Sequence, residues 1–107
     1  NDMMLGNPHD VAGFGLLQAM LAQELKTGVG KFTVSISHAH IYENHYEQAS
    51  TMLARMPHMH HEIIARLPEN SFQRALQADV SLVRELAQMF KTQYKPMAAL
   101  KKMKIAI

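Results

Sequence analysis

A chain of 107 residues with 48% apolar and 19% charged side chains holds one small globular domain or part of one, and is too apolar for a disordered segment. Its formal charge of +2, with basic residues scattered outside the short run Lys101, Lys102 and Lys104, excludes the concentrated basic face of a nucleic-acid binder, and the lack of cysteine excludes disulfides, thiolate metal sites and a thiol nucleophile within these residues. No apolar run reaches bilayer-spanning length and no signal peptide opens the sequence, so a soluble, cytoplasmic protein without a membrane partner is expected.

Val11, Phe14, Leu17, Leu21 and Leu25 recur every three or four residues, with Leu16 and Met20 widening the stripe, which predicts a largely buried helix from Asp10 to Lys26. Pro8 precedes it, Asp10 suits its N-cap, and Gly28 and Gly30 mark its end. Phe32, Val34 and Ile36 then alternate with Lys31, Thr33, Ser35 and Ser37, the period of a half-buried strand. If the extension continues, His38, His40 and Tyr42 share one face.

A second helix is predicted over Glu43 to Met56, with Tyr46, Ala49, Leu53 and Met56 on one side, stopping before Pro57. Ile63 and Ile64 suggest a short strand ending near Pro68. Leu76, Val80, Val83, Ala87 and Phe90 predict a third helix over Asp79 to Phe90, followed by a tail that ends Ile105-Ala106-Ile107. The cluster His58-Met59-His60-His61 carries imidazoles that suit zinc, copper or nickel, yet beside Pro57 it reads as a solvated loop, and no metal is expected. The methionines read as core filler.

Two stretches carry more than periodicity: Asn1-Asp2-Met3-Met4-Leu5-Gly6-Asn7-Pro8-His9-Asp10, and His38-Ala39-His40-Ile41-Tyr42-Glu43-Asn44-His45-Tyr46-Glu47-Gln48. Together they resemble the thymidylate synthase family, whose pattern runs D-x-x-L-G-x-P-x-N and, after a helix, H-[IL]-Y-x-N-H-x-E-Q, at the same separation. The resemblance covers residues 1 to 56 and returns at Arg66-Leu67-Pro68-Glu69 and Ile105-Ala106-Ile107.

This resemblance implies an α/β (α+β) fold in which helices pack on a partial mixed sheet, with residues 1–107 forming the C-terminal portion of a single domain. The part with the family's Pro-Cys-His nucleophile would lie upstream, so no catalytic residue is expected in this chain, which alone would be inactive. It further implies a homodimer, a pyrimidine nucleoside monophosphate as substrate and 5,10-methylenetetrahydrofolate as co-substrate. By resemblance, Asp2, Asp10, His40 and Tyr42 bind the nucleotide, His40 and Tyr42 at the sugar 3′-hydroxyl. Asp2, Leu5, Gly6 and His9 line the folate side. Asn44, His45, Glu47 and Gln48 match the family too, but a structural hydrogen-bonding role is expected of them.

Asp10 stands where the family's uridylate methylases carry an asparagine. An amide matches the N3–H donor and O4 acceptor of uracil. Cytosine reverses both positions: a carboxylate accepts from its N4 amino group, and one proton shared with N3 completes the pair. The expectation therefore leans toward a deoxycytidylate hydroxymethylase, with His9, a second departure, placing the water that hydroxymethyl transfer needs. The alternatives are a thymidylate synthase that methylates dUMP despite Asp10, and a non-catalytic fragment or interaction module.

Overall fold

The computed structural model describes residues 1–55 and 66–105, and helices organise them. In chain order these are α1 (Gly6–Glu24), a 3-10 turn (Glu43–His45), α2 (Tyr46–Ala54), α3 (Ser71–Leu76) and α4 (Val80–Gln93). The expected α/β sheet is not formed among the described residues. One isolated parallel bridge, Asp2 with His40, is its whole β-pairing. Among the described residues the alternating segment 31–37 has no neighbouring strand to exchange hydrogen bonds with, and an unpaired row of N–H and C=O groups does not make a strand. The Gln18 side-chain amide, 3.2 Å from the Gly30 carbonyl, tethers the approach to this segment to α1. The strand expected at Ile63 and Ile64 and the His58–His61 cluster lie outside the described residues.

α1 starts four residues before the expected N-cap. Asp2 closes the preceding turn by accepting from Met4 N at 2.9 Å with its side chain and from Asn7 N at 2.7 Å with its carbonyl. Pro8 then falls in the first helical turn, where its missing N–H has no partner to lose. Asp10 is consequently inside the helix and exposed, not its cap. The helix ends at a left-handed Lys26, φ 53°, ahead of both glycines. Lys26 N bonds the Gln23 carbonyl and Thr27 N the Ala22 carbonyl, the paired bonds of a Schellman termination.

The helix phases also differ from expectation. Of α1, Met20 and Ala22 are buried, whereas the apolar stripe stays open, from Val11 at 38% to Phe14 at 59% and Leu25 at 68% exposed. The sheet that would cover it is absent among the described residues. On α2 the buried face is Gln48 and Ala49, continued by His45 of the turn before it, while Tyr46 and Leu53 point outward; Met56 lies outside the described residues. On α4, Leu82 and Leu86 are buried with Met89 and Phe90 beside them, and Val80 and Val83 are exposed. Helix α4 carries two apolar stripes, and its packing partner selects the one that faces in.

That partner is α3, a helix the periodicity did not reveal, with α1 behind it. Met20, Leu82 and Leu86 form the core, joined by Leu16, Leu67 and Phe72. Gln23 stitches the corner: its amide donates to the Leu67 and Pro68 carbonyls at 3.2 and 3.0 Å and its oxygen accepts from Ser71 N at 3.2 Å. Ala78, left-handed at φ 54°, ends α3, and Asp79 caps α4 through Ser81 N at 2.9 Å. Arg74 clamps both helices, 2.7 Å from Asp79 and 2.6 Å from Glu85.

Candidate functional site

The two motif stretches meet through their backbones. Asn1 N donates to the His38 carbonyl, His40 N to the Asn1 carbonyl at 3.1 Å, and Met3 N to the His40 carbonyl at 3.0 Å. Three alternating bonds fix residues 1–3 beside residues 38–40, which brings Asp2 and His40 side by side although 38 positions separate them. Gly6 belongs to the same junction: a Cβ there would lie 3.6 Å from that of Asp2.

From this junction a row of rings runs along the second stretch. His38 and His40 have ring centroids 5.3 Å apart, His40 and Tyr42 stand edge-on at 5.0 Å, and Tyr42 and His45 edge-on at 6.0 Å. The alternation of an extended chain places the first three on one face, and the 3-10 turn after Tyr42 carries His45 behind them. The Asp2 carboxyl is half-buried and held below its ordinary range, first by the Met4 N–H, against partial loss of water, with the Leu5 and Gly6 N–H groups and the nearby His45 adding to it. At neutral pH Asp2 is therefore an ionised acceptor.

Five of the expected site residues line three open grooves, and Asp2 and Gly6 line none of these. His40 and Tyr42 line one of about 890 Å³, together with Glu43, Asn44, Tyr46 and, from the far end of the chain, Lys104 and Ile105. Leu5 lines a second of about 520 Å³, walled by Tyr94, Pro96, Met97, Leu100 and Met103 among others. His9 and Asp10 line a third of about 250 Å³ with Gly13, Phe14 and Leu17. Asp2, Gly6, His40 and Tyr42 are thus brought together, and His9 and Asp10 stand apart from them. Helix α1 carries Asp10 one turn beyond Gly6, a rise of about 6 Å.

The contribution of Lys104 and Ile105 to the His40–Tyr42 groove was not foreseen from the sequence. The only pointer to it was the short terminal match at Ile105. His45 and Gln48, matched to the family but set aside as structural, are buried, and Asn44 and His45 both bond the Lys104 carbonyl.

An imidazole and a phenol along one open groove, with an ionised carboxylate on the backbone ladder beside them, suit a polar, ring-bearing small molecule. The chain belongs to the thymidylate synthase family, whose profile matches residues 1–106. That span includes residues 71–103, through which the motifs gave no correspondence. Members are folate-dependent transferases that deliver a one-carbon unit to C5 of a pyrimidine nucleoside monophosphate, and they are typically dimeric. No solved structure matches the chain. With no cysteine among the 107 residues, a thiol that attacks the pyrimidine has to come from outside them.

Proposed function

We propose that this chain is the nucleotide-reading portion of a deoxycytidylate hydroxymethylase, with Asp10 as the group that selects cytosine. The observation that carries the reading is the ionisable, acceptor-rich side chain of Asp10 at the family's amide position, exposed in a groove beside the Phe14 ring. A carboxylate accepts from the N4 amino group of cytosine and shares a proton with N3, whereas against uracil it faces the O4 acceptor. Leaving buried polar groups unpaired in this way discriminates by roughly 10⁴-fold. The shared proton also draws electron density from the ring, easing attack of an external thiolate at C6.

In this reading His40 and Tyr42 hold the sugar, an assignment supported by their adjacent rings over one groove and by the ladder that fixes His40 against Asp2. The folate supplies the one-carbon unit. The Leu5 groove fits a flat ring with an anionic tail, since Tyr94, Pro96, Met97 and Leu100 give it an apolar wall and Arg55, Lys101 and Lys102 a cationic one, while Gly6 follows Leu5 and Asp2 lies three residues before it. His9 positions the water that distinguishes hydroxymethyl from methyl transfer. Because Asp10 and the His40–Tyr42 row line separate grooves here, the proposal requires the remainder of the enzyme, including a second subunit, to join them into one pocket. The open apolar stripe on α1 is the surface on which that remainder would pack.

The test follows loss of the C5 hydrogen from dCMP and dUMP, each with methylenetetrahydrofolate and the full-length protein. Turnover of dCMP is expected. Turnover of dUMP alone would replace this reading with a thymidylate synthase that tolerates Asp10.

A further inference from the structure

The groove at His40 and Tyr42 has a wall that regular structure does not hold. After α4 ends at Gln93, residues 94–105 form neither helix nor bridge, yet Lys104 and Ile105 face the two site residues across the groove. The segment is pinned by side chains from the second motif stretch and from the C-terminal cap of α2. Asn44 Nδ2 lies 3.2 Å and His45 Nε2 2.8 Å from the single carbonyl oxygen of Lys104. Arg55 donates to the Ala98 carbonyl at 2.7 Å further back.

His45 touches both walls. Its ring stands edge-on to Tyr42, and its Nε2 reaches the tail. A carbonyl only accepts, so Nε2 of this imidazole carries a hydrogen and is the donor. Its Nδ1 is buried without a partner among the described residues, as is Oε1 of Gln48 one helical turn on. A fully buried imidazole with an unpaired nitrogen is a poor device for stability, because an apolar ring of similar size would fill the space without that penalty. What the imidazole supplies and an apolar ring does not is the N–H to Lys104.

We propose that His45, backed by Asn44, is a positioning residue that sets affinity for the nucleotide by fixing the Lys104–Ile105 wall against Tyr42. This rests on the sugar-binding reading of the groove given above.

The test uses the full-length enzyme with two readouts, amide hydrogen exchange over residues 100–105 and the separate kcat and KM for nucleotide. His45→Phe keeps the volume and removes the donor. It is expected to expose those amides and to raise KM roughly ten-fold with kcat changed less than about three-fold. His45→Gln restores a donor and recovers most of the loss, and Asn44→Ala shifts both readouts slightly in the same direction. Unchanged exchange in His45→Phe, or faster exchange with an unaltered KM, overturns the proposal. Should His45→Phe fail to fold, the exposed Asn44 decides: Asn44→Ala with both readouts at wild-type values overturns it as well. Tyr42→Phe separates the two readings, since a KM unmoved by that change breaks the sugar-binding assignment while the exchange result for the tail stands.

Discussion

The corner built by α1, α3 and α4 and the surface built by the two motif stretches solve the problem of staying together by different means. In the corner, apolar side chains from three helices close on one another and polar groups find partners nearby: Gln23 satisfies three backbone groups, and Arg74 binds two carboxylates. The motif surface has almost no apolar core. A short backbone ladder, a row of rings and two side chains gripping one tail carbonyl hold it, and its grooves stay open. Packed regions tolerate little change in volume. Polar surfaces of the second kind tolerate substitution in stability and register it in binding, which is the division of labour expected between a scaffold and a site.

The sharpest way to break this comparison is to cut the corner's core. Leu82, 3% exposed, loses about 2–5 kcal/mol as Leu82→Ala, measured by urea unfolding of the full-length protein. A loss below about 1 kcal/mol would mean that the corner is not where stability resides. Gln23→Leu leaves the part-buried Leu67 carbonyl and Ser71 N–H without their partner, while the Pro68 carbonyl keeps the Ser71 hydroxyl, and is expected to cost about 1–3 kcal/mol in the same assay. Ala78→Gly works in the opposite direction. Its left-handed φ of 54° costs an alanine about 1–2 kcal/mol, so glycine should raise the unfolding midpoint by a corresponding amount.

The smallest effect is a dependence on acid. Asp79 is lowered to about 2 by the Ser81 hydroxyl and then Arg74, and Glu85 is lowered by Arg74. A folded-state value below the unfolded one, 3.8 for aspartate, gives stability that is present above pH 4 and lost as pH falls toward 2. Asp79→Asn should flatten stability against pH across that window. An unchanged slope would show that the clamp contributes nothing to it.

How far these features were legible in the sequence follows from what each one depends on. The three main helices were visible because apolar spacing of three and four is a local property, and α4 was placed to within a few residues. Which stripe of α4 faces inward was not legible, since Val80 and Val83 are as apolar as Leu82 and Leu86 and only the neighbouring α3 chooses between them. Helix α3 itself is six residues long, too short for periodicity to register. The strand failed for a related reason. Phe32, Val34 and Ile36 alternate correctly, but a strand is a relation between two segments, and its partner is not among the described residues.

The same distinction applies to the site. His38, His40 and Tyr42 were placed on one face by a period of two, and their rings do lie in a row. The pairing of Asp2 with His40 is a contact across 38 positions that no local pattern reveals, and the arrival of Lys104 at the groove is another. Asp10 has the sequence context of a helix cap because Pro8 and the apolar stripe flank it, whereas Asp2 opens the turn that leads into the helix.

The chemistry of position 10 is open to a direct trial, in which Asp10→Asn is made in the full-length enzyme and kcat/KM is measured for dCMP and dUMP side by side. An amide in place of the carboxylate should reverse the preference from cytosine to uracil by several powers of ten, toward the roughly 10⁴-fold limit of a hydrogen-bond mismatch. If the ratio of the two nucleotides is the same before and after the change, Asp10 does not read the base and the assignment of cytosine to this protein is wrong.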